Sequence, residues 1–528
     1  MEIIGMAPIL SQQAVASLLA VLLGMTLWKF LIGGRKSGVG GPPEVGRRWP
    51  LIGHLPQLMD DKQPLARTLG GLADEYGPLV TVWIGVRRAV VASNWEMAKE
   101  CLATKDKALG SRPLNAAGQH LAMDYTMFGF APNGAYWRQS RKLTTLELLS
   151  PRQLELLKDV RAQELDLAMN DLYKHYNNSS GGTFKLVDMK AWCGDLGFNN
   201  IVMAVVGKRY FGTNKSEDEA TARRFQKALI DFFIQSGNPV PSDAIPFLEW
   251  LDVGGHIRAM KKTAKELDSI ATIWMKERRE RMALGEPKGP ARDFLDVMLN
   301  LKDQSHFTGL DPDSVMKATC LTLILAGTDT ISTTLTWALA LLLSNRYALK
   351  KAQDEIDAVV GKERKVNESD VKDFPYIWAI VKETLRMYPV SQMTGPHLAM
   401  EDCEVGGYKV PKGTIVLVNL WKVQRDPTVW PEPLKFQPER FLNENGEPDI
   451  TKGQNFELIP FSGGRRKCPG GPFALHVIHL ALARILHEFD LTLPSDEPID
   501  MTESLGLTNP KATPLEVLLT PRYPHLLQ

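Results

Sequence analysis

The chain has almost no surplus charge: across 528 residues, 62 lysines and arginines are set against 61 aspartates and glutamates. Proteins that bind polyanions carry an excess of basic residues, so this balance gives no reason to expect nucleic acid as a partner. Cysteine is scarce too. Cys101, Cys193, Cys320, Cys403 and Cys468 lie far apart, with no C-x-x-C pair. Such an odd, scattered set argues against a disulfide framework and suits a reducing compartment. The soluble part has no internal repeat and no low-complexity linker. The length allows several domains, but one large, mainly helical domain fits best.

Charge is absent from Ile3 to Trp28, and Ala14 to Trp28 is almost wholly apolar. With Ile9 and Leu10 included the stretch is long enough to span a bilayer, although Gln12 and Gln13 weaken its first half. A cleaved signal peptide would begin with a basic region, whereas here that region holds Glu2 and no basic residue. Lys29, Arg35, Lys36, Arg47 and Arg48 follow the apolar run, which by the positive-inside bias keeps the downstream domain cytosolic. The expected organisation is an uncleaved signal anchor over residues 1–33, a basic, proline-rich hinge over 34–56 and a catalytic domain over 57–528. The sequons at Asn177, Asn178, Asn214 and Asn367 would then never meet the glycosylation machinery and stay unmodified.

Two short strands are expected at Leu79–Ile84 and Arg88–Val91, around a turn at Gly85. Helical stretches include Arg152–Tyr176, Glu217–Ser236, Gly255–Met282, Asp311–Ser344, Ala348–Val360 and Phe374–Met387. A strand-rich segment runs from Cys403 to Asn419, and an apolar helix from about Phe473 to Phe489. The helix over Asp311–Ser344 is apolar nearly all round, which implies that it is buried at the centre of the domain.

Chemistry concentrates in four places. Phe461-Ser462-Gly463-Gly464-Arg465-Arg466-Lys467-Cys468-Pro469-Gly470 puts one cysteine on a glycine-rich loop just before a helix. The helix dipole and free backbone N–H groups stabilise a thiolate there, and the neighbouring basic residues add positive charge. Such a thiolate can be a redox thiol, a nucleophile or a metal ligand. In the central helix, Thr322, Ala326 and Thr330 share one face and leave room beside it. Gly327 weakens the helix, favouring a local bulge, and Asp329 beside Thr330 pairs an acid with a hydroxyl able to relay protons. A helix-packing notch with a back-bonded threonine accounts for the same residues equally well. Glu383 and Arg386 lie one helical turn apart, a spacing that usually marks a solvated surface pair. Trp137 and Arg141 lie on one face of another helix.

The spacing F-x-x-G-x-R-x-C-x-G resembles the haem-binding loop of the cytochrome P-450 family. Ala326–Thr330 is similar to that family's central oxygen-activating pattern [AG]-G-x-[DE]-T-[TS], departing at Ile331. Trp137–Arg141, Glu383–Arg386 and Pro438-Glu439-Arg440-Phe441 fall in the family's order, so the resemblance covers essentially the whole chain. It implies a mainly α fold with small β-sheets, and Cys468 as axial thiolate on the iron of haem b, where a thiolate favours O–O bond cleavage. It also implies Asp329 and Thr330 as the catalytic proton relay, and haem contacts from Trp137, Arg141, His397, Phe461, Gly464, Arg466 and Gly470. Glu383, Arg386 and Arg440 would form a buried structural triad.

Pro241–Leu248, Met260-Lys261-Lys262 and Leu335–Leu339 resemble plant microsomal members, nearest the plant family numbered 82, whose members oxidise flavones, alkaloids and terpenoids. The implied reaction inserts one atom of O2 into a C–H bond, with electrons from NADPH through a cytochrome P-450 reductase and cytochrome b5 as a possible second partner. The implied location is the endoplasmic reticulum membrane, single-pass. By position, the pocket for a small-molecule substrate would draw on Met123, Phe128, Phe233, Thr322, Leu325, Ala326, Met393, Thr394 and Leu507. A flavonoid hydroxylase is the first expectation. An alkaloid or terpenoid oxidase is the alternative, and further off lies a haem-thiolate isomerase or dehydratase that does not activate O2. Arg465, Arg466 and Lys467, with Arg138 and Lys142, could form a basic face for an acidic electron donor.

Overall fold

The computed structural model describes residues 40–59, 63–177, 185–213, 215, 219–238, 240–285, 293–300, 309–442, 449–504 and 506–527, with isolated positions 17, 21, 23 and 24. The expected anchor therefore lies outside the described residues, apart from those four positions. Among the described residues no helix is long and apolar enough to cross a membrane.

The main helices, in chain order, are α1 (Leu65–Tyr76), α2 (Ala135–Glu147), α3 (Lys158–Asn177), α4 (Met189–Val206), α5 (Glu219–Gly237), α6 (His256–Ala283), α7 (Pro312–Ser344), α8 (Arg346–Val360), α9 (Pro375–Met387) and α10 (Gly471–Glu488). The strands are β1 (Leu79–Ile84), β2 (Arg87–Ala92), β3 (Lys185–Asp188), β4 (His397–Leu398), β5 (Cys403–Val405), β6 (Tyr408–Val410), β7 (Ile415–Val418), β8 (Phe489–Thr492) and β9 (Glu516–Pro521). One sheet has the order β1-β2-β7-β4, a second β3-β9-β8, and β5 with β6 forms a hairpin. In the first sheet β2 and β7 run parallel, with Val90 opposite Val416.

Helix α7 starts where Asp311 accepts a hydrogen bond from the Ser314 backbone at 2.9 Å and Pro312 occupies the first turn. Its apolar circumference is buried along almost its whole length. Helix α4 lies along it, and two glycines set how close the pair comes. A Cβ at Gly327 would sit 2.6 Å from Ile201 Cγ1, and one at Gly197 would sit 3.0 Å from the Thr328 carbonyl. The bulge expected at Gly327 is not there: α7 is continuous α-helix from Pro312 to Ser344. Gly327 is a packing glycine, needed for contact with Ile201.

Helix α4 was not among the helices expected from periodicity. Its apolar residues run nearly all round and hide the 3.6-residue stripe, although Asp188 caps it by accepting from the Lys190 backbone at 2.9 Å. The proline-rich segment after Gly40 is tied to the first sheet. The Thr81 backbone donates to the Pro43 carbonyl at 2.7 Å and the Val45 backbone to the Thr81 carbonyl at 3.1 Å. Buried His54 accepts from the Trp83 backbone at 2.8 Å. This part of the expected 34–56 hinge is therefore built into the edge of β1.

Glu383 and Arg386 are fully buried on α9, with Arg386 Nε 2.7 Å from Glu383 Oε2. Arg440 Nε reaches Glu383 Oε1 at 3.2 Å, and Arg386 Nη1 donates to the carbonyls of Gln424 (3.0 Å) and Pro433 (2.8 Å). A charge this deep is tolerable only with each partner in place. Removing Glu383 leaves two guanidiniums facing each other without the carboxylate they share. Glu383→Ala should lower stability by about 3–5 kcal/mol. Thermal unfolding checks this, and an unchanged melting temperature contradicts a bracing role.

Candidate functional site

The cysteine loop is shaped by its backbone. Ser462 and Gly464 both have φ near +60°, and a side chain at Gly464 would come within 1.9 Å of the Leu102 carbonyl. The Cys468 backbone donates to the Phe461 carbonyl at 2.8 Å and closes the loop. Phe461 also lies against Gly471, where a Cβ would be 3.4 Å from its ring, and Gly470 sits 3.9 Å from the Cys468 sulfur by the same measure. The Cys468 side chain is exposed, with the Gly470 and Gly471 backbone and the Arg141 guanidinium around it.

Burial pushes the Cys468 thiol up; the backbone N–H groups of Gly470 and Gly471 and the Arg141 guanidinium pull the other way without overcoming it. The basic residues next to it in sequence do not stabilise its thiolate as expected. Arg465 turns to Asp106, with Nε 3.1 Å from Oδ2. Arg466 Nε donates to the Gly110 carbonyl at 2.9 Å, and Lys467 Nζ reaches the Lys452 carbonyl at 3.5 Å. The favourable charge comes from α2: Arg141 Nη2 donates to the Lys467 carbonyl at 2.5 Å. Since desolvation outweighs these groups, the neutral thiol is favoured unless a cation stands beside it.

Around the loop, several guanidiniums gather about one carboxylate, Asp106. Trp137 is buried on α2, with the Arg466 guanidinium carbon 3.8 Å above its ring. Arg112 Nη1 donates to the carbonyls of Gly395 (2.5 Å) and Pro396 (2.7 Å). A side chain at Gly395 would collide with it, 2.9 Å from Nη2. His397 is buried, one ring nitrogen 3.0 Å from the Leu109 carbonyl. Burial, with Arg112 and Arg141 beside it, pushes Arg466 down to about 9; burial and Arg141 push Arg112 down to about 10. Burial and Arg112 push His397 down to about 3. Asp106 is the carboxylate facing this group, and its hydrogen bonds go to Arg465. Arg466 Nη2 is buried with no partner, which marks a site for an anionic ligand.

Sequence reasoning missed Arg112. Its only sequence signal is the proline that follows it, and its role depends on β4 lying beside Gly110 and Ser111.

On α7, Ala326 is exposed although the helix is buried on either side, so space opens against its middle turn. Thr322 and Thr330 are half-buried, and both hydroxyls donate to the carbonyl four residues back, to Ala318 at 2.7 Å and to Ala326 at 2.8 Å. Asp329 does not bond Thr330. Its Oδ2 accepts a hydrogen bond from Thr508, and burial pushes its carboxyl up. Thr508 was the second residue missed, since it is 179 positions away in sequence.

The expected pocket residues are spread over several elements. Met123 has a left-handed backbone, φ 53°, while Phe128 and Leu325 are buried in the main core. Phe233 stacks edge-on against Phe232 at 6.0 Å. Met393 pairs with Asn419 beside β7, and the Thr394 hydroxyl accepts from the Val418 backbone at 3.1 Å, so that hydroxyl is committed to the sheet. Leu507 is 39 % exposed, its backbone packed against Gly237 at the end of α5.

The family model "Cytochrome P450" matches residues 43–516. Strychnine-10-hydroxylase of Strychnos nux-vomica is 48 % identical over 96 % of this chain and 96 % of its own length. Xanthotoxin 5-hydroxylase CYP82C2 of Arabidopsis thaliana is 48 % identical over 91 % and 92 %. Flavonoid-6-hydroxylase of Ocimum basilicum is 50 % identical over 92 % and 91 %.

Proposed function

The chain belongs to the cytochrome P450 family, and on that basis we propose that it is an NADPH- and O2-dependent flavonoid hydroxylase of the plant group numbered 82. Its class is haem-thiolate monooxygenase acting on plant specialised metabolites. The observation that carries the reading is the exposed Cys468 thiol near the buried Arg466 guanidinium, whose Nη2 has no partner, with Arg112 and Arg141 close by. Haem b matches both needs, because its iron is the cation a buried thiolate requires and its two propionates are the missing anions.

In this reading Cys468 ligates the iron, while Arg112, Arg141, Arg466, Trp137 and His397 hold the propionates. Phe461, Gly464 and Gly470 shape the loop. Bound haem supplies reductive activation of O2, one atom of which enters a C–H bond while the other leaves as water. Asp329 and Thr330 then carry protons into an otherwise apolar pocket. Asp329 is suited to this because burial favours its protonated form, and Thr330 because its hydroxyl stands beside the open space at Ala326. Met123, Phe128, Phe233, Leu325, Met393 and Leu507 supply apolar wall that excludes water and takes a ring system.

Residues 1–33 anchor the protein in the endoplasmic reticulum membrane with the catalytic domain cytosolic, where a reductase passes electrons from NADPH and cytochrome b5 is a second possible donor. Arg138 and Lys142 are exposed on α2 beside the cysteine loop, a basic face suited to an acidic flavoprotein.

An alkaloid hydroxylase is the second reading, favoured by the likeness to strychnine-10-hydroxylase over nearly the full chain. Microsomes containing the protein and a reductase, given NADPH and a panel of flavones, alkaloids and terpenoids, decide between them. The expected product is a mono-hydroxylated flavone, and turnover confined to alkaloids or terpenoids overturns the substrate assignment. Reversing charge at Lys142 and Lys467 together should slow NADPH-driven turnover about tenfold or more and flatten its salt dependence. Unchanged rates at low salt would remove these lysines from the docking face.

A further inference from the structure

The last hairpin of the chain is fixed at several points around one hydroxyl. Glu503 pairs with Lys511, and the Ser504 backbone donates to the Pro510 carbonyl at 2.8 Å. The Asn509 backbone donates to the Val390 carbonyl at 2.7 Å, and its own carbonyl accepts from Trp337 Nε1 at 2.7 Å. Trp337 is fully buried on α7, two turns beyond Asp329. On the other side, Leu507 lies so close to Gly237 that a Cβ there would be 2.5 Å from its backbone nitrogen. Thr508 stands between these clamps, and its hydroxyl donates to Asp329 Oδ2.

We propose that Thr508 is a positioning residue for Asp329: its hydroxyl holds the carboxyl on the hairpin and couples proton delivery on α7 to the substrate-wall segment that carries Leu507. The inference rests on the reading of Asp329 as a proton carrier. Asp329 and Thr330 are neighbours in sequence, but about 100° apart around the helix, so the carboxyl does not point at the open face by default. The Thr508 hydrogen bond selects one carboxyl position and stabilises the charged form against burial. The other charged group facing Asp329 is Lys190 at the start of α4, whose Nζ is 2.7 Å from the Lys511 carbonyl on the same hairpin. During turnover Asp329 gives its proton toward Thr330 and is reprotonated from solvent, while Thr508 remains a donor throughout.

The test uses the haem-loaded protein with Thr508→Val, Thr508→Ala, Thr508→Ser and Asp329→Asn. The first readout is independent of turnover: the infrared band of the protonated Asp329 carboxyl, isolated by subtracting the Asp329→Asn spectrum, followed against pH. Thr508→Val and Thr508→Ala should shift its midpoint upward, and Thr508→Ser should restore it. The second readout is product formed per NADPH consumed, expected to fall about fivefold in Thr508→Val, the scale of one hydrogen bond, and to recover in Thr508→Ser. An unshifted midpoint in both Val and Ala variants overturns the proposal. If Asp329→Asn uncouples turnover while Thr508→Val does not, the positioning role fails and the proton-carrier reading stands. If Asp329→Asn leaves coupling intact, the proton-carrier reading itself fails.

Discussion

Positive charge gathered at one cysteine loop, with Asp106 as the carboxylate it shares, is the constraint on which the rest of this molecule depends. Arg112, Arg141 and Arg466 converge beside one cysteine loop, and the carboxylate that faces them, Asp106, is bonded to Arg465. Guanidiniums cannot be packed together in a low-dielectric interior without repelling one another. The protein alone does not resolve this, since Arg466 keeps an unpartnered nitrogen. A dianionic ligand does. Near these guanidiniums stands a thiol whose deprotonation is opposed by burial, so one group that is cationic at its centre and anionic at its edge satisfies both demands.

The scaffold serves that wall. Helix α2 brings Trp137 and Arg141 to the loop, and the turn before β4 brings the carbonyls that hold Arg112. The Glu383–Arg386–Arg440 cluster pins α9 to the segment leading into the loop through Gln437, whose backbone donates to Glu383 at 3.0 Å. Opposite in function, α7 and α4 meet through glycines so that α7 can be buried yet leave Ala326 open. Rigid packing around an open turn is what a site that must exclude water requires.

Much of this was legible in the sequence because the loop and the helices are local patterns. Cys468, Gly464 and Arg466 stand in one run of ten residues, and the main helices match their periodic stretches within a few positions, except that the stretch Arg152–Tyr176 is broken at Leu157 into Pro151–Leu156 and Lys158–Asn177. What was hidden is long-range. Arg112 and Thr508 act on groups nearly three hundred and nearly two hundred positions away, and no window of sequence contains both partners. Helix α4 was hidden for another reason, since a helix buried all round has no stripe. Around Gly327 the bulge and the packing notch stayed equally open, because a packing glycine and a bulge glycine look alike until the neighbour, Ile201, is known. The charge expected on Cys468 from Arg465 to Lys467 also went elsewhere, because side-chain direction in a tight loop follows φ and not sequence adjacency.

The central claim is that Cys468 is the thiolate ligand of a haem held by this cationic wall. The absorption spectrum of the reduced, CO-bound protein tests it most directly, compared between the natural chain and Cys468→Ala, with thermal unfolding to establish that the variant folds. The account predicts a Soret band at the position diagnostic of thiolate ligation in the natural chain and its loss in the folded variant. A folded Cys468→Ala protein that keeps that band, or a natural chain that never shows it with haem bound, would contradict the account.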